Sequence, residues 1–144
     1  MHFQLRAAVE SDWDRCWPLQ REAFRDLVTR TYGGWTSAQA AKVRGAWSPE
    51  LTRLIEVEGR LAGWIKVEHR VEHDWLDVIV VDPSMQGRGL GAAVLRRLIA
   101  EAEARGVALH LSVYRTNPAR QLYRRLGFVE SPRDELRLLM VYEG

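Results

Sequence analysis

The segment Pro83-Ser84-Met85-Gln86-Gly87-Arg88-Gly89-Leu90-Gly91-Ala92 constrains the fold most, because it joins an apolar strand to a strongly amphipathic helix. The strand is Leu76 to Val81, a β-branched run interrupted by Asp77. The periodicity predicts a helix from about Arg88 to Arg105, with Leu90, Val94, Leu95, Leu98, Ile99 and Ala102 on one broad face. Glycines in the turn remove Cβ atoms and let main-chain N–H groups approach a ligand. The first turn of a helix leaves such groups unpaired, with partial positive charge behind them. Together these make an anion site, most naturally for phosphate.

Three kinds of Gly-rich loop compete for the segment. A P-loop needs Lys-Ser or Lys-Thr after its final glycine, and Ala92-Ala93 follows instead. The Rossmann fingerprint is satisfied on paper by Gly87-x-Gly89-x-x-Ala92. Its context fails, because Asp82 to Gln86 separate the strand from the first glycine where the dinucleotide turn is tight. The next apolar strand is followed by Tyr114-Arg115 rather than an acidic residue for a ribose.

The third reading is Gln86-x-x-Gly89-x-Gly91, followed one helix and one strand later by a second block. That block, Leu111 to Phe128, carries a strand, Asn117, a short helix with Tyr123, and Gly127-Phe128. The pair of blocks resembles the GNAT N-acetyltransferases, whose Q/R-x-x-G-x-G/A loop binds the pyrophosphate of acetyl-CoA. Leu5-Arg6-Ala7-Ala8 with Asp12-Trp13 also resembles the first strand and first helix of that family.

Size and charge agree. A chain of 144 residues is expected to form a single domain over 1–144 with a real hydrophobic core, and 47% hydrophobic residues is ordinary for a globule. No stretch approaches the ~20 apolar residues that span a bilayer, and no apolar signal core opens the chain, so a cytoplasmic location and no membrane partner are expected. The lone Cys16 suits a reducing compartment and reads as a packing residue. A net charge of +2 does not argue for nucleic acid. From Ser84 onward, however, ten arginines face six acidic residues, a balance that suits a polyanion. Most of these arginines read as solvated helix faces; Arg88, and then Arg120 or Arg124, are the candidates to touch a phosphate.

The element order predicted is a strand from Phe3 to Val9, a helix from Asp12 to Arg30 capped by Ser11, and a weaker helix from Ser37 to Trp47. Strands Leu51 to Val57 and Arg60 to Arg70 follow, turned by Glu58-Gly59, then a strand from His73 to Val81. After the long helix come a strand from Val107 to Val113, a short helix from Pro118 to Leu126 with Asn117 as N-cap, and closing strands near Phe128 and from Leu136 to Tyr142. Meandering strands pair antiparallel and the strand–helix–strand crossover pairs parallel. The fold class expected is α/β (α+β), a mixed twisted sheet of about six to seven strands flanked by helices on both faces. That is the order of the GNAT fold.

The resemblance implies an enzyme that transfers acetyl from acetyl-CoA to a primary amine by direct attack in a ternary complex. It assigns the cofactor to Ile79, Val80, Val81, Gln86, Gly87, Arg88, Gly89, Leu90, Gly91, Ala92, Asn117 and Tyr123, with the N–H of Val81 polarising the thioester carbonyl. It makes Tyr123 the general acid, a phenol of pKa ~10 able to protonate a departing thiolate. Asn117 would cap its helix and bond the pantetheine amide. The amine, about 99.9% protonated at pH 7, must first lose a proton. Asp77, on the strand face of Val81 inside an apolar run, is the first candidate base, with Glu68, His73 or water in reserve. His110, opposite in phase to Leu109 and Leu111, reads as a surface imidazole. Trp17, Tyr32, Trp35 and Trp47, interleaved with Glu22 and Asp26, suggest an aromatic pocket for a small-molecule or peptide amine. The chemistry asks for no metal. A CoA-binding module without turnover is the alternative, and the oligomeric state is open, a homodimer included.

Overall fold

The computed structural model describes residues 2–144. Seven strands form one mixed open sheet in the order β1-β2-β3-β4-β5-β7-β6, where β1 is Gln4–Ala7, β2 Thr52–Val57, β3 Arg60–His69, β4 His73–Val81, β5 Ala108–Tyr114, β6 Val129–Pro132 and β7 Arg137–Tyr142. Among the described residues the α-helices are α1 (Trp13–Ala23), α2 (Arg25–Tyr32), α3 (Ser37–Ala46), α4 (Leu90–Arg105) and α5 (Arg120–Leu126). None of these is long and apolar enough to cross a membrane. The chain divides into two compact units, one of His2–Lys66 with Val78–Gln86, the other of Val67–Asp77 with Gly87–Gly144.

In the first unit β1, β2 and β3 pair antiparallel, with Leu5 opposite Ile55 and Ile55 opposite Gly63. Glu58 (φ 52°) and Gly59 (φ 75°) close the hairpin between Val57 and Arg60, the two positive φ values that a tight two-residue turn needs. The predicted single helix from Asp12 to Arg30 is two. Phe24 (φ −102°, ψ 6°) breaks the axis and packs its ring against the core. The cap also differs from expectation: Ser11 is exposed, and the carboxylate of Asp12 accepts the Val9 N–H at 2.9 Å instead. Thr36 and Gln39 form a reciprocal capping box that starts α3. Cys16, fully buried, packs with Leu54, Trp64 and Val80, and burial pushes its thiol up to about 12.

Five of the six tryptophans join in a chain in this unit, Trp64–Trp47–Trp13–Trp17–Trp35, with centroid separations of 5.3–5.7 Å. Arg44 lies 4.8 Å from the Trp13 ring centroid. Of the residues expected to form an aromatic pocket, Trp47 is buried in the core, Trp17 and Trp35 are half-buried against one another, and Tyr32 is exposed. Glu22 pairs with Arg25 at 3.2 Å.

In the second unit β4 and β5 run parallel, from His73 opposite Ala108 to Leu76 opposite Leu111. β7 lies antiparallel between β5 and β6. The residues of α4 that are buried are Leu90, Val94, Leu95, Leu98, Ile99 and Ala102, the face that the periodicity marks. The helix starts at Leu90, two residues later than predicted, because Gly89 sits at φ 82° outside the right-handed region. Its far end is anchored by Arg105 to the buried carboxylate of Asp74, which also faces His69 Nδ1 at 2.8 Å. The short helix likewise starts late: Asn117 Oδ1 accepts the Ala119 N–H at 2.9 Å, making an Asx turn over residues 117–119 before α5 begins at Arg120. Gly127 (φ 105°) ends it as predicted.

Candidate active site

The Gly-rich loop belongs to the second unit from Gly87 onward. Gly87 (φ 76°) and Gly89 (φ 82°) take the left-handed conformation, and a Cβ built on either meets nothing within 4 Å. The backbone there is open to an approaching group. The first intrahelical bond of α4 is Ala93 N–H to Gly89 O at 3.0 Å, so the N–H groups of Leu90, Gly91 and Ala92 precede the helical ladder. No side chain caps them. Arg88 is exposed beside them, whereas Leu90 turns its side chain into the core. Gly91 sits against α5, its Cβ position 3.9 Å from Leu122 Cδ2, which brings the helix of Tyr123 beside the start of α4.

Tyr123 is the buried residue of α5, 6% exposed, and its ring meets Phe128 edge-on at 5.8 Å. Burial pushes its phenol up to about 12. Asn117 is half-buried, and its amide oxygen is engaged by the Asx turn. Arg120 and Arg124, candidates for a phosphate, both pair with Glu130 instead, Arg120 at 3.0 Å.

In the first unit, Gln86 Nε2 donates to the carbonyl of Val81 at 3.0 Å, tying the loop to the strand end. Asp82 N–H donates to Ala62 O at 2.7 Å, and the Val80 carbonyl abuts Gly63, both on β3. Because C=O and N–H point oppositely across a trans peptide, the N–H and C=O of Val81 both face away from β3. Ile79 and Val81 are half-buried and Val80 is fully buried.

A cleft of 850 Å³ opens on the face of the second unit's strands that carries His73, Trp75 and Asp77 of β4, and His110, Ser112 and Tyr114 of β5. Glu68 lines it too, so the candidate bases Asp77, Glu68 and His73 share one cavity. The apolar setting expected for Asp77 is absent. The residue is exposed, and the Trp75 indole N–H donates to its Oδ1 at 3.4 Å. Nor is His110 a plain surface imidazole: it is half-buried and stacks on His73. Burial and then the neighbouring His73 hold its pKa below the ordinary value. Sequence reading missed this cleft, although the period-two alternation of 73, 75, 77 and of 110, 112, 114 carries it.

The strand order, with α4 crossing from β4 to β5, is a fold shared with solved N-acetyltransferase structures. The model of the acetyltransferase (GNAT) family matches residues 11–128, and the chain belongs to that family. It is 37% identical over 110 residues to mycothiol acetyltransferase of Mycolicibacterium gilvum, covering 67% of this chain and 36% of that one. It is 43% identical over 75 residues to the ribosomal protein bS18-alanine N-acetyltransferase of Escherichia coli, covering 51% of each. The chain thus spans about a third to a half of the curated relatives it matches. The crystal structure of PaiA N-acetyltransferase from Thermoplasma acidophilum in complex with coenzyme A superposes with a TM-score of 0.76, at 18% identity and over 100% of both chains.

Proposed function

We propose that this chain is an acetyl-CoA-dependent N-acetyltransferase acting on a primary amine of a small molecule or peptide. The observation that carries the reading is the open cradle at Gly87 and Gly89, with the unladdered N–H groups of Leu90, Gly91 and Ala92 beyond it. A pyrophosphate is expected there because a Cβ on Gly87 or Gly89 meets nothing within 4 Å and the first-turn donors of α4 lie just beyond. The structural relative in complex with coenzyme A and the curated relatives named as acetyltransferases agree with it.

Acetyl-CoA, when bound, supplies an activated acetyl thioester. Residues Gly87 to Ala92 hold its phosphates through main-chain N–H groups, with Gln86 fixing the loop and Arg88 adding charge. Ile79, Val80 and Val81 are the family's pantetheine edge, and the Val81 N–H, turned away from β3, is the donor for the thioester oxygen. Asn117 presets the turn that carries α5. Tyr123 Oη holds a proton for the departing sulfur, and its high pKa keeps it loaded at every physiological pH. Asp77 takes the proton of the incoming amine directly or through a water, with Glu68 and His73 beside it in the cleft. The chain works as a cytoplasmic enzyme in this reading.

Thiol release from acetyl-CoA in the presence of an amine panel tests the proposal: amine-dependent release is expected. Acetyl-CoA binding without release on any amine would leave a binding module, and the absence of acetyl-CoA binding would remove both readings.

A further inference from the structure

The cleft beside β4 is polar, and its charges are unevenly matched. Three arginines line it: Arg70, Arg133 and Arg137. Arg70 pairs with Glu68 at 3.4 Å and Arg137 with Asp134 at 2.8 Å. Arg133 enters no ion pair among the described residues. Its guanidinium lies 5.3 Å from the ring centroid of Trp75, whose ring also carries Arg70 at 5.0 Å.

Two guanidinium groups on one indole repel each other, and exposed cation–π contacts contribute only ~0.5–1 kcal/mol each. Arg133, with no carboxylate paired to it among the described residues, has N–H groups to offer an anion in paired geometry. Trp75 also fixes where such an anion sits relative to the chemistry, because its indole N–H reaches Asp77 while its face underlies Arg133. Asp77 and Arg133 thus meet the same indole, one at its N–H and the other at its ring.

We propose that this cleft seats the acyl acceptor, and that the acceptor is an amine carrying an anionic group, a carboxylate first of all, gripped by Arg133 and Arg70 over Trp75. The assignment rests on the acetyltransferase reading given above and narrows its acceptor. The amine end turns to Asp77, and the anionic end to the two arginines. A neutral amine would leave the arginine end unpaired, so the cleft discriminates by what lies beyond the reacting nitrogen.

The test pairs acceptors that differ only in that group: alanine and 4-aminobutyrate against their amides, with ethylamine as the bare amine and ethanolamine phosphate as the phosphate arm. Calorimetry with N-acetylalanine and N-acetylalaninamide supplies a readout independent of turnover. The acids are expected to exceed their amides by roughly tenfold or more in kcat/KM, and N-acetylalanine to bind tighter than its amide by a similar ratio. Arg133→Gln should collapse both ratios towards one, and Arg133→Lys should restore part of them. Arg125→Gln, on the exposed face of α5, should leave them as they are in the unaltered protein. A larger preference for ethanolamine phosphate than for the amino acids would retain the anion site and replace carboxylate by phosphate as its ligand. Equal values for acid and amide, or ratios unmoved by Arg133→Gln, overturn the proposal while thermal-shift binding of acetyl-CoA persists. Loss of that binding overturns the acetyltransferase reading itself.

Discussion

The imidazoles of His73 and His110 stack with centroids 4.0 Å apart and 13° between their planes. They meet because β4 and β5 run parallel with Trp75 opposite His110, which sets His73 diagonally beside it on the cleft face. Burial, then the charge of His73 and of Arg70, disfavour a proton on His110, and Glu143 opposes them only in part. The folded state therefore binds this proton less readily than the unfolded chain. Stability from this group is complete above the ordinary histidine value of about 6.5 and is lost as pH falls through it towards the lower folded value. The melting temperature should fall between pH 7.5 and pH 5 by more in the native sequence than in His110→Gln. Parallel pH curves for the two proteins would place the acid sensitivity elsewhere.

Gly63 is required by the backbone facing it. A Cβ at that position would collide with the Val80 carbonyl oxygen and lie 3.1 Å from Val81 Cα, and neither can swing aside as a side-chain tip can. Gly63→Ala should destabilise the protein by about 1–3 kcal/mol, read from urea denaturation. The forced shift would also move Val81, so the acetyl-CoA KM should rise as well. A variant of full stability would show that β3 and β4 separate more easily than their packing suggests.

The parts of the fold that a sequence displays are those governed by a strong period or a steric requirement. The six buried residues of α4 follow from spacing alone, and the turn at Glu58-Gly59 follows from the need for positive φ. The break at Phe24 was not legible, because hydrogen bonding runs across it, from Phe24 N–H to Gln20 O and from Val28 N–H to Phe24 O, and only tertiary packing bends the axis. Capping differs as well: Ser11 is exposed, and the Asp12 carboxylate turns back to the Val9 N–H and to Arg6 and Arg15 instead of bonding the first turn of α1. The cleft was half legible. Asp77, Glu68 and His73 were singled out as bases one by one, but their convergence, and that of Arg70 and Arg133 on Trp75, depends on strand register and on the β6–β7 turn. The tryptophans lacked any signal separating a ligand pocket from a core, since both use the same rings.

Gly89 and Gly91 separate strain from ligand approach. Gly89 is at φ 82°, so Gly89→Val forces a β-branched residue into the left-handed region, a cost of roughly 1–3 kcal/mol whatever binds there. Gly91 has ordinary helical φ, and an added methyl would touch Leu122 at 3.9 Å, a normal contact. Gly91→Ala should therefore keep or slightly raise the melting temperature, since alanine is the better helix former. The Q/R-x-x-G-x-G/A pattern admits alanine at this position and the methyl meets Leu122, so Gly91→Ala should also leave acetyl-CoA affinity close to that of the unaltered protein, whereas Gly89→Val should weaken it. Unchanged affinity in Gly89→Val would take the loop out of the cofactor site.

Tyr123→Phe removes one hydroxyl and keeps the ring that packs edge-on against Phe128. The structure sharpens what this substitution must show. With its pKa pushed up to about 12, the phenol remains protonated across the accessible range, so no fall in rate below about pH 11 can arise from its ionisation. The rate should instead climb from pH 7 to pH 10 as free amine accumulates. Burial also makes this phenol a more reluctant acid than an exposed tyrosine. Loss of the hydroxyl should then lower kcat by about 10²–10⁴-fold at every pH, with acetyl-CoA affinity and melting temperature nearly unchanged. An acyl donor with a more acidic thiol needs less help from Tyr123 and should recover part of the loss. Normal turnover in Tyr123→Phe would reduce the tyrosine to a packing residue, and the burial that raises its pKa would then be its whole role.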